Sequence, residues 1–455
     1  MLSSTPAPAN ALNLRRSNGQ PKVVSLSTQR KPITNPETLY FVNGTLGTPA
    51  QTVLLHLDTG SSDLWVNSAQ SDLCTERSNP CASTGTYDAN SSSTYNYVGS
   101  YFNISYVDGS GAAGDYVTDT FTLGDTSLED FQFGVGYTST SEQGILGIGY
   151  PVNEVQVGRA NMKPYENLPA KMVSAGQIQS QAYSLWLNDL DANKGSILFG
   201  GVDTDQYTGE LQTLPIQAND GVYSEFKITL TGLSLAGQSI AEDQALAVLL
   251  DSGSSLTYLP DTWVDQIFEQ VGAQYEASDG AAYVACDLAS DSSTLDFTFT
   301  DPAISVEMNE LVLDLGTASG GRPTFDDGTE ACLFGIAPAG AGTNVLGDTF
   351  LRSAYVVYDL ANNEISLAQT NFNATTTNVK EITGPGEVPG ATAVADPVAA
   401  TAGVVVGTSG SASTGIGIAG LGGSSEENAA PGLARSVSAL VASLAFGVWY
   451  FVSMA

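Results

Sequence analysis

Two short segments of the 455-residue chain share the pattern of an aspartate followed by a hydroxyl residue and a glycine. The first reads HLDTGSSDLWV at 56–66, and the second reads LLDSGSSLTYLP at 249–260. Asp58 and Asp251 therefore occupy equivalent positions in an internal repeat. Two carboxylates within hydrogen-bonding distance cannot both ionise cheaply, so such a pair holds one proton between its members.

A carboxyl pair with one shared proton can act as a general base and a general acid together. One carboxylate takes a proton from water while its protonated partner donates to a carbonyl oxygen, which is what peptide hydrolysis without a metal or covalent nucleophile requires. The hydroxyls of the second motif residues and the glycine amides are expected to hold the carboxylates coplanar, and the following serines to donate from outside. These six supporting residues are Thr59, Gly60, Ser61, Ser252, Gly253 and Ser254.

Each aspartate ends an apolar run, at 53–57 in the first copy and 247–250 in the second. Such runs are typical of β-strands, and the following glycine permits a turn, so each carboxylate should lie where a strand becomes a turn. A second shared element, two apolar residues and a glycine, recurs at 145–147 and 345–347. The sequence therefore predicts two duplicated β lobes that face each other, each supplying one aspartate.

Composition and charge agree with this interpretation. Many short β-branched stretches lie between turn signals, with Gly 48, Tyr 19 and Phe 16, so we expect an all-β chain with few, short helices. Fifteen Lys and Arg against 48 Asp and Glu give a net charge of −33, which argues against a nucleic-acid partner. The acidity suits a secreted protein that works in acid.

The four cysteines are too few and too widely spaced for a familiar tetrahedral metal site, so no metal or other cofactor is expected. Two disulfides are the better interpretation. Of the three possible connectivities, Cys74–Cys81 with Cys286–Cys332 is favoured because each pair then stays within one lobe. Sequons at Asn43, Asn90, Asn103 and Asn373 agree with a secretory route.

The C-terminal segment 437–455 is uncharged and predominantly apolar, and small residues at 422–425 precede it across a spacer. This layout is typical of a signal for a glycosylphosphatidylinositol (GPI) anchor, with Gly423 as the candidate attachment residue. The alternative is a C-terminal transmembrane helix, because the run is long enough to span a bilayer. Residues 1–13 contain no apolar run typical of a signal peptide, which suggests a truncated or misassigned start.

Four segments, DTGSSDLWV, DSGSSLTYLP, GILGIGYP and VLGDTFLRSAYVVYDLANNEISLA, resemble pepsin-like aspartic proteases across about residues 38–370. The stretch at 167–203, NLPAKMVSAGQIQSQAYSLWLNDLDANKGSILFGGVD, together with the C-terminal pattern, is similar to the fungal, surface-anchored yapsin subgroup. The resemblance implies a bilobal fold of two pseudo-twofold-related β lobes with the active-site cleft between them.

The resemblance also identifies NISYVDGSG at 103–111 as the flap, a hairpin that closes over the substrate, with Tyr106 at its tip and hydrogen-bonded to Trp65 when closed. Alternation at 104–107 and the turn pair Asp108-Gly109 predict a hairpin independently. The alternative is a surface hairpin without a catalytic role. Asp108 stands where some fungal relatives carry an acid that accepts Lys or Arg of the substrate; alternatively, it only forms the turn.

We divide the chain into six segments. Residues 1–36 hold five bases (Arg15, Arg16, Lys22, Arg30 and Lys31) and no acid, and are expected to be a residual pro-segment. Of these bases, Lys22, Arg30 and Lys31 are candidates to face the catalytic pair, and both dibasic pairs suit a processing protease. The remaining segments are an N-terminal lobe at 37–200, a connector at 201–215, a C-terminal lobe at 216–370, a low-complexity stalk at 371–436 and the anchor signal at 437–455.

His56, the only histidine, precedes Asp58 by two residues on the same strand face. We interpret it as a packed strand residue; the alternative is that it tunes the carboxyl pair.

The sequence thus predicts a monomeric aspartic endopeptidase that acts on proteins and peptides at acid pH, with preference for basic residues. It is expected at the extracellular face of the plasma membrane or in the cell wall, bound to the membrane through its GPI anchor. The alternatives are a catalytically inactive binding or adhesion protein of the same fold and a soluble secreted protease.

Overall fold

The computed structural model describes residues 22–32, 38–192, 194–316 and 322–403. Within them, β-strands predominate and the five α-helices are short, so the all-β expectation is confirmed. The helices are α1 (Val155–Ala160), α2 (Leu168–Ser174), α3 (Asp261–Val271), α4 (Met308–Leu311) and α5 (Asp348–Leu351). Single 3-10 turns lie at Pro80–Ser83, Ala89–Ser91, Pro151–Asn153 and Cys286–Ser290.

The strands of the first half and the connector are β1 (Val24–Pro32), β2 (Thr38–Leu46), β3 (Gln51–Asp58), β4 (Leu64–Asn67), β5 (Asn96–Ser105), β6 (Gly111–Leu123), β7 (Thr126–Ser139), β8 (Gly144–Gly147), β9 (Ala182–Trp186), β10 (Lys194–Phe199), β11 (Gly201–Asp203) and β12 (Tyr207–Pro215). Those of the second half are β13 (Lys227–Leu230), β14 (Gly232–Leu235), β15 (Gln238–Ala241), β16 (Leu246–Leu250), β17 (Thr257–Leu259), β18 (Gln274–Glu276), β19 (Ala281–Ala285), β20 (Thr294–Thr298), β21 (Ala303–Glu307), β22 (Val312–Leu313), β23 (Ala331–Phe334), β24 (Ile336–Pro338), β25 (Val345–Leu346), β26 (Ala354–Asp359), β27 (Glu364–Thr370), β28 (Val379–Glu381) and β29 (Ala391–Ala393).

One large sheet joins the two halves, in the order β29-β12-β27-β26-β9-β10-β1-β2-β3-β8-β4-β7-β6-β5. The second half adds three smaller sheets, β13-β16-β25-β17-β24, β15-β14-β20-β21 and β18-β19-β23-β22. Strands β26 and β27 lie in the second half of the sequence but pair next to β9 of the first half. The second half of the chain therefore contributes strands to a sheet that it shares with the first half.

The strand pairing around each aspartate is the same in both halves. Strand β3 runs parallel to β8, which is antiparallel to β4, and β16 likewise runs parallel to β25, which is antiparallel to β17. The shared glycines sit where these strands cross: a Cβ at Gly147 would lie 2.6 Å from the Asp63 amide nitrogen, and one at Gly347 would lie 2.3 Å from a backbone oxygen. The internal repeat thus corresponds to a repeated fold, and glycine is required because no side chain fits.

Both disulfides have the predicted connectivity. Cys74 and Cys81 are bonded with their Cα atoms 5.2 Å apart, and Cys286 and Cys332 with theirs 5.0 Å apart. Each bridge lies within one half of the chain.

Residues 371–403 pack on the body of the protein, which differs from the expected flexible stalk beginning at 371. Strand β28 pairs with β11, and β29 pairs in parallel with β12. Ile382 is fully buried, Val394 is 7% exposed, and the Ala402 carbonyl accepts a hydrogen bond from the amide of Ala247 in β16 at 2.8 Å. We name residues 371–403 the C-terminal strap. Backbone pairing and two apolar anchors hold this segment although its composition is low in large apolar residues.

Strand β1 lies within the range interpreted as a pro-segment. It pairs with β10 from Val24 to Gln29 and with β2 from Gln29 to Pro32, so it fills the sheet between these strands. Residues 1–21, with Arg15 and Arg16, and 404–455, with Gly423 and the apolar C-terminal run, lie outside the described residues. Within the described part of the chain, no helix is both long and apolar enough to cross a membrane.

Candidate active site

The two strands of the repeat bring their aspartates together at the base of the lobe interface. Asp58 is the last residue of β3, and its carbonyl accepts a hydrogen bond from the amide of Ile148 at 2.9 Å. Asp251 directly follows β16, and its amide donates to the carbonyl of Leu346 at 3.1 Å. Each aspartate is therefore fixed by the strand that the shared glycine element provides.

Thr59 and Ser252 cross-link the two motif loops. The Thr59 hydroxyl donates to the carbonyl of Leu250 and the Ser252 hydroxyl to the carbonyl of Leu57, each at 2.9 Å. Each hydroxyl also accepts the backbone amide of the other residue, at 2.9 and 3.2 Å. The predicted supporting role thus takes a different form, because these hydroxyls lock the opposite backbones together instead of bonding the carboxylates.

The carboxylates themselves have matching partners in both copies. Each Oδ1 accepts the amide two residues ahead at 2.8 Å, and each Oδ2 accepts the hydroxyl three residues ahead. These donors are Gly60 and Ser61 for Asp58, and Gly253 and Ser254 for Asp251, with the Ser254 bond at 2.8 Å. The glycine amides and the serine hydroxyls therefore orient the two carboxylates, as predicted from the sequence.

The motif glycines allow the two halves to approach each other closely. A Cβ placed on Gly60 would lie 2.5 Å from Oδ1 of Asp251, and one on Gly253 would lie 2.5 Å from Oδ1 of Asp58. Any side chain at either position would collide with the opposite carboxylate. The glycine is required by this close approach, since neither residue adopts a positive φ.

Burial and mutual repulsion keep a proton on the pair. Asp58 is 3% exposed and Asp251 is 1% exposed. Burial, and then the charge of Asp251, raises the pKa of Asp58 to about 8. Burial also raises the pKa of Asp251, although its hydrogen bonds oppose the shift. A pair that shares one proton at acid pH follows, and the pair titrates as a unit.

The hairpin expected at 103–111 is present between β5 and β6. Tyr106 lies between β5 and β6, and the Trp65 Nε1–H donates to its hydroxyl at 2.8 Å. Gly109 turns the chain at a φ of 84°, which favours glycine. Asp108 is exposed, and its Oδ1 accepts the Ser110 amide at 2.8 Å, so it does form the turn. The carboxylate remains accessible at the flap tip.

His56 is a buried strand residue, as interpreted. It is 5% exposed, and its ring lies 5.7 Å from that of Phe41. Burial lowers the pKa of His56 to about 4, although the backbone of Ser252 and the charge of Asp108 oppose the shift. The imidazole is therefore neutral over most of the acid range.

The four sequon asparagines, Asn43, Asn90, Asn103 and Asn373, are exposed. Within the described residues no cluster of three or more His, Cys, Asp or Glu side chains is arranged to hold a metal ion. One buried carboxylate of the first motif, Asp63, was not predicted, because the sequence gives no sign of its partners on other elements.

The chain matches the family model for eukaryotic aspartyl proteases over residues 39–370, which include both aspartates and the flap. The chain belongs to the eukaryotic aspartyl protease family. With both carboxyl groups in place, the protein is an aspartic-type endopeptidase. The expected pepsin-like family is confirmed.

Several relatives extend beyond the family region. The chain is 57% identical over 402 residues to the probable aspartic-type endopeptidase opsB of Aspergillus oryzae, covering 85% of this chain and 82% of that protein. It is 39% identical over 372 residues to candidapepsin-3 of Candida albicans, covering 79% and 87%. It is 32% identical over 448 residues to aspartic proteinase 3 of Saccharomyces cerevisiae, covering 81% and 75%.

The fold matches that of a crystal structure. The aspartic proteinase from Irpex lacteus aligns with a TM-score of 0.63 at 23% identity, covering 78% of this chain and all of that one. The two-lobed β architecture is therefore that of the pepsin-like proteases.

Proposed function

We propose that this endopeptidase works in acid, as a monomer, and prefers basic residues beside the bond that it cleaves in proteins and peptides. The observation that carries the proposal is the buried pair of Asp58 and Asp251, whose raised pKa values keep one proton on the pair. The presence of both carboxyl groups under a formed flap argues against a protein of this fold that only binds.

The geometry suits a water molecule activated between the two carboxyl groups. The ionised carboxylate takes a proton from water as the water oxygen bonds to the peptide carbon, and the protonated partner gives its proton to the carbonyl oxygen. The resulting tetrahedral diol collapses as its C–N bond breaks, with one carboxyl protonating the leaving nitrogen and the other taking back a hydroxyl proton. The pair ends with one proton, as it began.

An acid optimum follows from the requirement for that proton. Above the upper pKa of the pair both carboxyl groups are ionised, so no acid remains to protonate the carbonyl oxygen. Burial, and then the charge of Asp251, raises the pKa of Asp58 from the ordinary carboxyl value of 3.8 to about 8. Activity should therefore extend through weakly acid pH and be lost above about pH 8.

The preference for basic residues rests on charge. The chain carries a net −33, and the exposed Asp108 carboxylate lies at the flap tip, beneath which substrate passes. A Lys or Arg of the substrate near this carboxylate would gain from partial desolvation of the pair.

The test is a cleavage profile on a random peptide library, repeated across pH. We expect cleavage in acid, inhibition by a pepstatin-type compound, and enrichment of Lys and Arg beside the cleaved bond. Cleavage without enrichment of Lys and Arg would refute the preference alone. If the library is not cleaved at any of the pH values, the catalytic proposal is refuted.

We further propose that the chain is a GPI-anchored protein of the surface-bound yapsin type, at the plasma membrane or in the cell wall. Support comes from the uncharged run at 437–455 and the small residues around Gly423. A stalk would then begin after the C-terminal strap, near residue 404. Release of activity from membranes by a phosphatidylinositol-specific phospholipase tests the proposal, and retention by the membrane would contradict it.

We propose that processing of a pro-segment occurs at Arg15-Arg16. Cleavage after Lys31 would remove nearly all of β1 from the sheet. The backbones of Lys31 and Pro32 also pair with β2, so the bond between them lies in a strand and not in an accessible loop. Burial raises the pKa values of Tyr40 and Asp348, and the nearby charge of Arg30 opposes the shift at both groups. N-terminal sequencing of the mature enzyme tests this choice, and a start at Pro32 would contradict it.

A further inference from the structure

Asp63 is a buried carboxylate five residues after Asp58 in the first motif, and it is 1% exposed. Its Oδ1 accepts the hydroxyls of Tyr116 at 2.5 Å and Tyr165 at 3.0 Å. Its Oδ2 accepts the amide of Val155 at 2.8 Å. The side chain is thus a buried acceptor of three hydrogen bonds, none of which involves the catalytic pair.

These three donors come from three different parts of the N-terminal lobe. Tyr116 belongs to β6, the second strand of the flap, Val155 is the first residue of α1, and Tyr165 lies in the loop between α1 and α2. Asp63 itself directly precedes β4. One carboxylate therefore ties the flap and the neighbouring helix to the loop that carries Asp58.

An aromatic cluster connects Tyr116 to the flap tip. The ring of Tyr116 meets that of Phe102 on β5 edge-on, with centroids 5.2 Å apart, and Phe102 lies 6.4 Å from Trp65. Trp65 in turn holds the Tyr106 hydroxyl. Displacement of Tyr116 would thus be transmitted through packed rings to Tyr106 of the flap.

Glu154 adds a second buried carboxyl group beside Asp63. It is 1% exposed, and its Oε2 accepts the Tyr165 amide at 2.8 Å. Burial, and then the charge of Asp63, raises the pKa of Glu154 to about 10. Glu154 is therefore neutral in the acid range. Burial also raises the pKa of Asp63, although its hydrogen bonds from Tyr116, Val155 and Tyr165 oppose the shift.

We propose that Asp63 is a positioning residue that holds the flap and helix α1 over bound substrate, acting through the hydroxyls of Tyr116 and Tyr165. The proposal rests on the proposed cleavage of peptides beneath the flap. If only the closed flap binds substrate, the apparent affinity falls in proportion to the closed fraction. Loosening the network should then weaken binding, while the chemistry in the bound state continues.

The experiment compares Tyr116→Phe with Tyr87→Phe as a matched control. Both tyrosines are fully buried and each donates to a buried carboxylate of the same lobe, since the Tyr87 hydroxyl bonds Asp119 at 2.6 Å. Tyr87, however, packs in the main core and not in the flap cluster. A general loss of stability should affect both variants, whereas loss of flap positioning should affect only the first.

We expect Tyr116→Phe to raise KM, and the Kd of a pepstatin-type inhibitor, by about three- to tenfold, which is the effect of losing one buried hydrogen bond. Its kcat should stay within about twofold of the parent enzyme, and Tyr87→Phe should leave KM and Kd unchanged. If Tyr116→Phe does not fold, Tyr165→Phe decides, because it removes a donor from the same oxygen on a side chain that is only partly buried.

Equal KM and Kd values in Tyr116→Phe and Tyr87→Phe would overturn the proposal, as would a loss confined to kcat. The parent enzyme separates this result from a failure of the proposed function. Cleavage of the reporter peptide by the parent supports the function whatever the variants do, and inhibitor binding reports on the flap without turnover.

Discussion

In the proposed mechanism, Asp58 and Asp251 carry separate proton-transfer tasks, so neither can replace the other. We expect Asp58→Asn and Asp251→Asn each to lower kcat at least about a thousandfold, because the amide can neither take nor give the proton. The fold should persist, since an Asn oxygen can still accept the glycine amide. Steady-state kinetics and circular dichroism measure the two effects, and near-parental turnover by either variant would contradict the mechanism.

Asp108 combines a turn-forming oxygen with an exposed charge, and one substitution separates them. Asp108→Asn keeps an acceptor for the Ser110 amide and removes the charge, whereas Asp108→Ala removes both. If charge sets the preference, both variants should lower the ratio of kcat/KM for basic over apolar substrates by about two- to fivefold, the range of exposed ion pairs. An unchanged ratio in Asp108→Asn would show that Asp108 is only a turn residue.

Among single residues, the sequence predicts those in repeated motifs but not those whose partners lie far apart along the chain. Asp58 and Asp251 were predicted because a second copy of the motif confirms the first. Asp63 looks like any polar residue after the motif, since its three donors lie 53, 92 and 102 residues farther along the chain. The glycine at position 60 was predicted as a turn residue, but its contact with Asp251 depends on the other lobe.

At the scale of elements, the apolar runs predicted the strands that carry the dyad, and the flap hairpin followed from its alternation and turn pair. The C-terminal strap was wrongly expected to be flexible because its composition is rich in small residues. Composition does not show that β28 and β29 find open strand edges at β11 and β12. Such pairing depends on tertiary placement, which a local pattern cannot contain.

Truncation tests the C-terminal strap. Ending the chain after Gly403 keeps Ile382 and Val394 in the core, whereas ending it after Thr370 removes both side chains. Burial of two such side chains is worth about 3–6 kcal/mol, so the shorter enzyme should unfold at a clearly lower temperature. Calorimetry of the two truncated enzymes makes the comparison. Equal melting temperatures would show that the strap does not stabilise the fold.

At the scale of the whole molecule, several buried carboxyl groups make stability depend on pH. The folded pKa is raised to about 8 for Asp58 and about 10 for Glu154, and it is also raised for Asp63, Asp251 and Asp348. Below about pH 4 these groups are protonated in both states and cost nothing. As pH rises, the unfolded chain ionises first, so the free energy of unfolding falls until each folded pKa is passed.

We therefore expect these groups to lower the free energy of unfolding between about pH 4 and 8, by at most about 1.4 kcal/mol per pH unit for each group. His56 opposes this trend up to about pH 6.5, because its lowered pKa makes the unfolded chain bind the proton first, but it is one group against five. Glu154→Gln offers a matched variant, because Gln resembles the protonated Glu. It should match the parent near pH 4 and be more stable at pH 8. Denaturant unfolding at several pH values measures this. A parent enzyme whose stability rises from pH 4 to 8 would contradict this expectation.

In the proposed mechanism, one proton shared by Asp58 and Asp251 drives peptide hydrolysis. The pH dependence of kcat/KM for a single peptide, from about pH 2 to about pH 9, tests it most directly, with Asp58→Asn as the control. We expect a bell-shaped profile with its maximum in acid and a descending limb between weakly acid pH and about pH 9, and no profile above background in the control. An optimum above about pH 8, or a bell of similar height in Asp58→Asn, would contradict it.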